Sequence, residues 1–294
     1  MALRISMSMA LVSAALYSCA GDAAPSQPAA PAASAPASAS ASAPAPAPKQ
    51  VPSRINEELA VHEVARDAYV ITHEPFHESN VLVVRMGDGS LVISSSPFDT
   101  EAARAMMAWL RATFRPPRII AINTHFHLDG TAGNQAYGEA KAETYASEET
   151  QALLLARGAS VRDVSAASFT DAGKRGRVER TRIVPASRTF PAREGLRLTI
   201  AGEPVRVSHP GPAHSPDNVV VHFPRRTLLF GGCMIKTGDS IGYLGDADLD
   251  RWEAAVRALE PMNARVVVPG HGATGGAELL QNTIALVRAA RAAR

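Results

Sequence analysis

The chain has 294 residues, 46% of them hydrophobic and 20% charged, with 30 Lys and Arg set against 28 Asp and Glu. A formal net charge of +2 lacks the strongly basic balance of nucleic-acid binding, so no nucleic-acid partner is expected. Two cysteines are too few for a disulfide-built fold, and stability must come from a buried core.

Residues 1–20 read as a signal peptide. Arg4 precedes an apolar stretch over residues 5–17, too short to span a bilayer and shaped like the h-region of a secretory signal. Two processing routes are open at its end. Leu16-Tyr17-Ser18-Cys19 approximates a lipoprotein signal that would acylate Cys19, and Ser18-Cys19-Ala20 offers small residues for ordinary cleavage. Both predict a periplasmic protein, and the first adds a lipid anchor to the outer membrane. Residues 21–51 are nearly all Ala, Pro and Ser, which bury too little apolar surface to offset chain entropy, so this tract is a predicted disordered linker. Residues 52–294 are long enough for one sizeable core built of two halves. With Cys19 removed or acylated, Cys233 is a lone thiol in an oxidising compartment, and metal ligation gives it a reason to be there.

The domain opens with β-rich runs over residues 68–72, 80–84 and 91–94, the last two joined by the hairpin signal Gly87-Asp88-Gly89. Between the first two lies a loop, residues 73–79, predicted to carry solvated His73 and His77 and an exposed aromatic, Phe76, available to a substrate. Residues 100–114 predict an amphipathic helix with Thr100 as N-cap and Ala103, Met106, Met107, Leu110 and Phe114 on its buried stripe. Pro116-Pro117 stops it and feeds a buried strand over residues 119–122.

That strand runs into Thr124-His125-Phe126-His127-Leu128-Asp129-Gly130. Two imidazoles and a carboxylate at alternate positions are the nitrogen and oxygen donors zinc prefers. The competing view is a fortuitous His-x-His on a strand face with Asp129 capping the next helix. Helical segments are predicted over residues 134–137 and 147–155, then a polar, basic, irregular insertion from 158 to 182 of the sort that forms lids or solvated faces. Further strands are expected over residues 196–200, 205–209, 218–223, 227–230 and 265–268, with helices over 249–259 and 277–290. Two βα-rich halves imply an α/β, four-layer αββα sandwich with the site where they meet.

Three more strand ends carry metal-binding side chains. His214 sits on the turn Gly211-Pro212-Ala213-His214, with His209 as its rival; Cys233 follows Gly231-Gly232; His271 lies in Pro269-Gly270-His271-Gly272. His222, inside a strand, reads as a core histidine. Sorted by donor chemistry, His125, His127 and His214 would hold one zinc ion, and Asp129, Cys233 and His271 a second. Three protein ligands per ion leave a position open for water, the arrangement of a catalytic site.

These motifs, with Lys236 three residues after Cys233, closely resemble the class B metallo-β-lactamases of the first subclass, over roughly residues 60–290. The resemblance implies the metallo-β-lactamase fold, two zinc ions and an enzyme that opens the β-lactam ring of penicillins, cephalosporins and carbapenems, conferring antibiotic resistance. A monomer is the separate expectation, since the sequence shows no evident exposed apolar patch. It implies that a zinc-bound hydroxide attacks the lactam carbonyl, that Lys236 holds the substrate carboxylate, and that Asp129 serves catalysis by ligating and orienting rather than as a free base. Three positions depart from the subclass pattern: Gly130 stands where a basic residue is usual, Ser95 where an Asp is common, and Tyr243 where an Asn lies beside the lactam carbonyl. A zinc hydrolase of the same fold acting on an ester, thioester or lactone is the alternative; Gly130, where such enzymes carry a histidine, argues against it.

Overall fold

The computed structural model describes residues 53–294, so the expected signal peptide, the linker and Cys19 lie outside the described residues. Seven strands form the first sheet in chain order: β1 (Leu59–Ala65), β2 (Ala68–His73), β3 (Ser79–Arg85), β4 (Leu91–Ser94), β5 (Ile119–Ile122), β6 (Glu143–Ser147) and β7 (Arg188–Phe190). The first four pair antiparallel and the last four parallel. The second sheet runs in the order β12-β11-β10-β9-β8, from β8 (Leu196–Ile200), β9 (Glu203–Ser208), β10 (Val220–Phe223), β11 (Leu228–Gly232) and β12 (Val266–Pro269). Only β11 and β12 pair parallel within it.

Strand alternation explains the layering. In β3, Leu82 and Val84 point into a central core shared with Val205, Val221, Phe230 and Val268 of the second sheet, whereas Val81 and Val83 point outward. The outward residues meet Met106, Met107 and Leu110 of α1 (Thr100–Phe114). The second sheet repeats the pattern: Val220 and Leu229 turn away from the central core and pack on Trp252 of α6 (Leu249–Arg257) and on Leu280 and Ile284 of α7 (Glu278–Ala292). The central strands are covered on both faces and read as continuous apolar runs, whereas β8, at the edge of the second sheet, alternates half-buried and exposed residues. Each fully buried Val, Leu or Ile contributes roughly 1.5–3 kcal/mol. The result is the expected αββα sandwich.

The two sheets are stitched together at one end. The Val219 amide donates to the Thr124 carbonyl at 2.8 Å, and the Asn80 amide donates to the Gly270 carbonyl at 2.8 Å. The Asn80 side-chain amide also donates to the Pro269 and Gly272 carbonyls, at 3.1 and 2.8 Å. These bonds bring the ends of β5, β11 and β12 to a single region.

Several sequence expectations need correction. Strands β1, β6 and β7 were not anticipated. Asp99, not Thr100, caps α1, its carboxylate accepting from the Ala102 amide at 2.9 Å. Residues 158–182 are not irregular: α4 (Glu148–Ala167) continues through Gly158, and α5 (Ala172–Glu179) follows. Gly158 is there for contact, because a Cβ at that position would lie 2.9 Å from Ile183. The loop after β2 is also not solvated throughout. Phe76 is fully buried and stacks on His73, itself buried, with ring centroids 4.3 Å apart; of the two histidines, His77 alone is exposed. Phe76 therefore does not offer its ring to a substrate: it joins Phe98, Phe169 and Leu128 in a small core beneath the insertion.

Candidate metal centre

Each of the six candidate ligands follows a strand. β5 ends at Ile122, and the chain then turns through His125 and His127 into a single helical turn, α2 (Leu128–Thr131), which carries Asp129. His127, with extended backbone, is the N-cap of that turn; Asp129 makes no cap and faces the other ligands. Gly130 is required there, since a Cβ on it would collide with the His125 carbonyl and lie 2.9 Å from His125 Nδ1. His214 lies in the turn between β9 and β10. Parallel pairing of β11 with β12 sets Gly232 opposite Pro269, and this register places Cys233 and His271 side by side.

The donors converge. Cys233 Sγ lies 2.8 Å and His271 Nε2 3.1 Å from the same oxygen of Asp129, and His125 Nε2 lies 3.4 Å from the other. His127 Nδ1 is 3.2 Å from His214 Nε2. The three imidazoles of residues 125, 127 and 214 pack edge to face, with centroids 4.8, 5.4 and 5.0 Å apart. Asp129, Cys233 and His271 form one compact group whose donor atoms all lie within 4.8 Å of each other. His125 is shared by two more, with His127 and Asp129 and with His214 and Cys233. Of the two expected sets, Asp129, Cys233 and His271 recur as one such group, whereas His125, His127 and His214 do not group as a trio: His125 joins His127 to Asp129 and His214 to Cys233, so the two sets abut through it. Donors on a tetrahedral zinc ion, at about 2.0–2.3 Å, stand roughly 3.3–3.8 Å from one another. The observed spacings are of that order, and the donor set fits zinc.

The electrostatics suit a cation. Burial opposes charge on Asp129, yet His125 and His271 outweigh it and hold the carboxyl well below its ordinary range. His271 is pushed up to about 10: burial works against its proton, but Cys233 and Asp129 prevail. Burial and Asp129 would raise the Cys233 thiol, while His271 and His125 bring it down. His214 is held well below its usual range by burial, then by Lys236, His127 and His125, so it is a neutral donor.

The nitrogens turned away from this cluster are held too. His271 Nδ1 lies 2.8 Å from the His77 carbonyl, and His127 Nε2 lies 2.8 Å from the Asp246 carboxylate, which also pairs with Arg157. Among sequence-predicted substrate contacts, Lys236 is half-buried, its Nζ 5.6 Å from the Trp252 ring centroid, and burial lowers its pKa against the pull of Cys233 and Asp129. Tyr243 is exposed, with its ring 5.8 Å from His127 and 6.4 Å from His214. His209 and His222 stand apart from the donor groups; His209 Nδ1 lies 2.8 Å from the Asn218 carbonyl, and His222 is buried in β10. Sequence reasoning missed Asp246 and Arg157 as partners of His127, and no local pattern signals them because they lie 119 and 30 positions away.

Comparison with known proteins agrees with this geometry. A family profile described as "Metallo-beta-lactamase superfamily" matches residues 98–271. The "Metallo-beta-lactamase type 2" of Bacteroides fragilis is 26% identical over 246 residues, 80% of this chain and 87% of that protein. The crystal structure of VMB-1 superposes with a TM-score of 0.65 at 26% identity, covering 80% of this chain and 99% of its own. The DIM-1 metallo-beta-lactamase structure gives 0.64 at 28% identity, covering 79% and 98%.

Proposed function

We propose, from the premise that this chain belongs to the metallo-beta-lactamase superfamily, that it is a di-zinc β-lactamase of the first subclass. The observation carrying this reading is the convergence of Asp129, Cys233 and His271 beside His125, His127 and His214, with Lys236 adjoining. Of the first subclass, the São Paulo metallo-β-lactamase is the enzyme we place it nearest, on the motif around Cys233 and Lys236 and the long helix α4.

His125, His127 and His214 would hold one ion and Asp129, Cys233 and His271 the other. Zinc at such a site supplies a Lewis acid and a water acidified to a pKa of about 7. Asp129 is fixed by three neighbours and orients donors instead of cycling a proton. Lys236 presents a point charge to the carboxylate that β-lactams share. Tyr243, exposed next to His127 and His214, forms one wall of the substrate approach. The substrates would be penicillins, cephalosporins and carbapenems, met by a monomer in the periplasm, with Cys19 as its membrane tether if acylated.

The test is ring opening of a carbapenem by the purified protein with added zinc and again after a chelator. Chelator-sensitive turnover is expected. Hydrolysis of thioesters or lactones without β-lactam turnover would overturn the substrate assignment and leave a zinc hydrolase of another class.

A further inference from the structure

Helix α4 and the residues just after it touch partners of two candidate ligands at separate places. Arg157, near its middle, places Nη2 2.5 Å from Asp246 Oδ1, and the guanidinium lies over the Phe126 ring at 5.0 Å. Asp246 Oδ2 is 2.8 Å from His127 Nε2, and the Asp246 side chain is only 3% exposed. A carboxylate on Nε2 keeps the proton there, leaving the Nδ1 lone pair directed at the other donors. Arg157 in turn fixes the carboxylate. This makes a three-residue chain from the helix to one ligand.

The second place lies just past the C-terminal end of α4. Phe169 is buried, with its ring 4.8 Å from His77 and 5.1 Å from Phe76. His77 and Glu78 both adopt left-handed backbone, at φ 60° and 50°, a conformation that costs non-glycine residues energy and persists only where neighbours hold it. This turn aims the His77 carbonyl at His271 Nδ1, 2.8 Å away, and leaves Nε2 for the metal side. Arg177 of α5 closes the arrangement from outside, pairing with Asp99 at 2.8 Å and Glu58 at 2.5 Å across the Phe76 ring.

We propose that α4, with the residues just after it, is a brace for the metal ligands: Arg157 of the helix positions His127 through Asp246, and Phe169, past its end, positions His271 through the His77 turn. The inference rests on the zinc-site reading above but not on any particular substrate. Both are positioning residues, since neither touches the donor cluster. The two contacts are independent, so they should fail independently.

The test is cobalt(II) titration of the full chain. A thiolate-to-cobalt charge-transfer band reports the ion bound by Cys233, and the visible ligand-field bands report both ions. Arg157→Ala should weaken the ion without the charge-transfer band by about 10-fold to 100-fold, the usual range for loss of a ligand's outer partner, and leave the charge-transfer titration unchanged. Arg157→Lys should recover most of that loss. Phe169→Ala should weaken the charge-transfer ion by about 10-fold, and Phe169→Leu, which refills the space, should recover part of it. Wild-type titrations in Arg157→Ala and Phe169→Ala, or equal weakening of both ions by either variant, would overturn the brace. The wild-type titration separates the two readings: failure to bind cobalt through Cys233 would overturn the metal assignment and the brace together, whereas normal wild-type binding with unaffected variants would overturn the brace alone.

Discussion

Gly270 and Cys233 touch backbone to backbone: a Cβ at Gly270 would lie 2.6 Å from the Cys233 nitrogen and closer still to its sulfur. Gly270 cannot retreat, because its amide donates to the Gly232 carbonyl at 2.8 Å and its carbonyl accepts from Asn80. Gly270→Ala should therefore push Cys233 out of the donor group, cost about 1–3 kcal/mol in overpacking, and reduce zinc from two ions to one. Native mass spectrometry reads the stoichiometry and a thermal melt reads the stability. Two retained ions would refute the argument.

Lys236 is held by backbone contacts at both sides, its amide donating to Thr283 Oγ1 at 2.8 Å and its carbonyl accepting from Asn282 at 3.2 Å. These bonds fix the backbone from which the side chain starts, and its ammonium lies outside the donor set, 5.6 Å from the Trp252 ring centroid. Lys236→Ala should raise KM for an anionic β-lactam by about 10-fold to 100-fold, equivalent to a charged hydrogen bond of about 1.5–3 kcal/mol, with kcat and zinc content little changed. A parallel loss of zinc would assign Lys236 to the metal site instead.

The candidate donors are legible in sequence because each follows a short strand, and a buried run such as Ile119-Ile120-Ala121-Ile122 before His125 is a local signal. Strand alternation across two covered faces likewise made the sandwich legible. What the sequence hid depends on distance or on weak local pattern. β7 has three residues, too few for periodicity, and α4 buries only four residues over its length of 20, so its helical stripe is faint. Phe76 looked exposed because Glu74, Pro75, His77 and Glu78 surround it, yet Phe98 and Phe169 cover its ring from 22 and 93 positions away. The basic residues of the insertion read as a solvated or steering face, but Arg175 donates to the Phe169 carbonyl, Arg177 pairs with Asp99 and Glu58, and Arg180 pairs with Glu101. The Arg175 contact is local, but the ion pairs of Arg177 and Arg180 reach 78 to 119 positions back, beyond any window of sequence.

His73 should make the metal-free protein sensitive to mild acid. Burial, opposed by Asp99 and Glu58 and assisted by Arg177, lowers its pKa from 6.5 to about 4. The unfolded chain then binds a proton that the folded chain refuses between pH 6.5 and about 4, so the stabilisation is complete above 6.5 and is lost as pH falls. The loss should approach about 3 kcal/mol. Glu58, whose pKa is lowered by Arg177 against burial, acts in the same direction at the acid end. Urea denaturation in chelator at pH 7 and pH 4.5 measures the difference, and His73→Asn should flatten the profile. An unchanged slope in that variant would assign the acid sensitivity elsewhere.

Gly130 carries the last expectation, because the subclass pattern places a basic side chain at this position. The single turn of α2 folds so tightly onto the strand end that a Cβ on Gly130 meets the His125 carbonyl and lies 2.9 Å from His125 Nδ1. The same turn is pinned by the Asn123 side chain, which donates to the Gly130 carbonyl at 2.9 Å, and by Ser95, whose hydroxyl donates to the Asp129 carbonyl at 2.6 Å. Restoring the basic residue should therefore harm this chain instead of improving it. Because the collision begins at Cβ, Gly130→Ala and Gly130→Arg should cost similar amounts, about 1–3 kcal/mol each, and both should lower metal affinity by moving His125. Melting curves with and without zinc test this. A Gly130→Arg variant with unaltered zinc affinity would mean that the turn relaxes and that Gly130 is a tolerated substitution, with its close contact dispensable to the site.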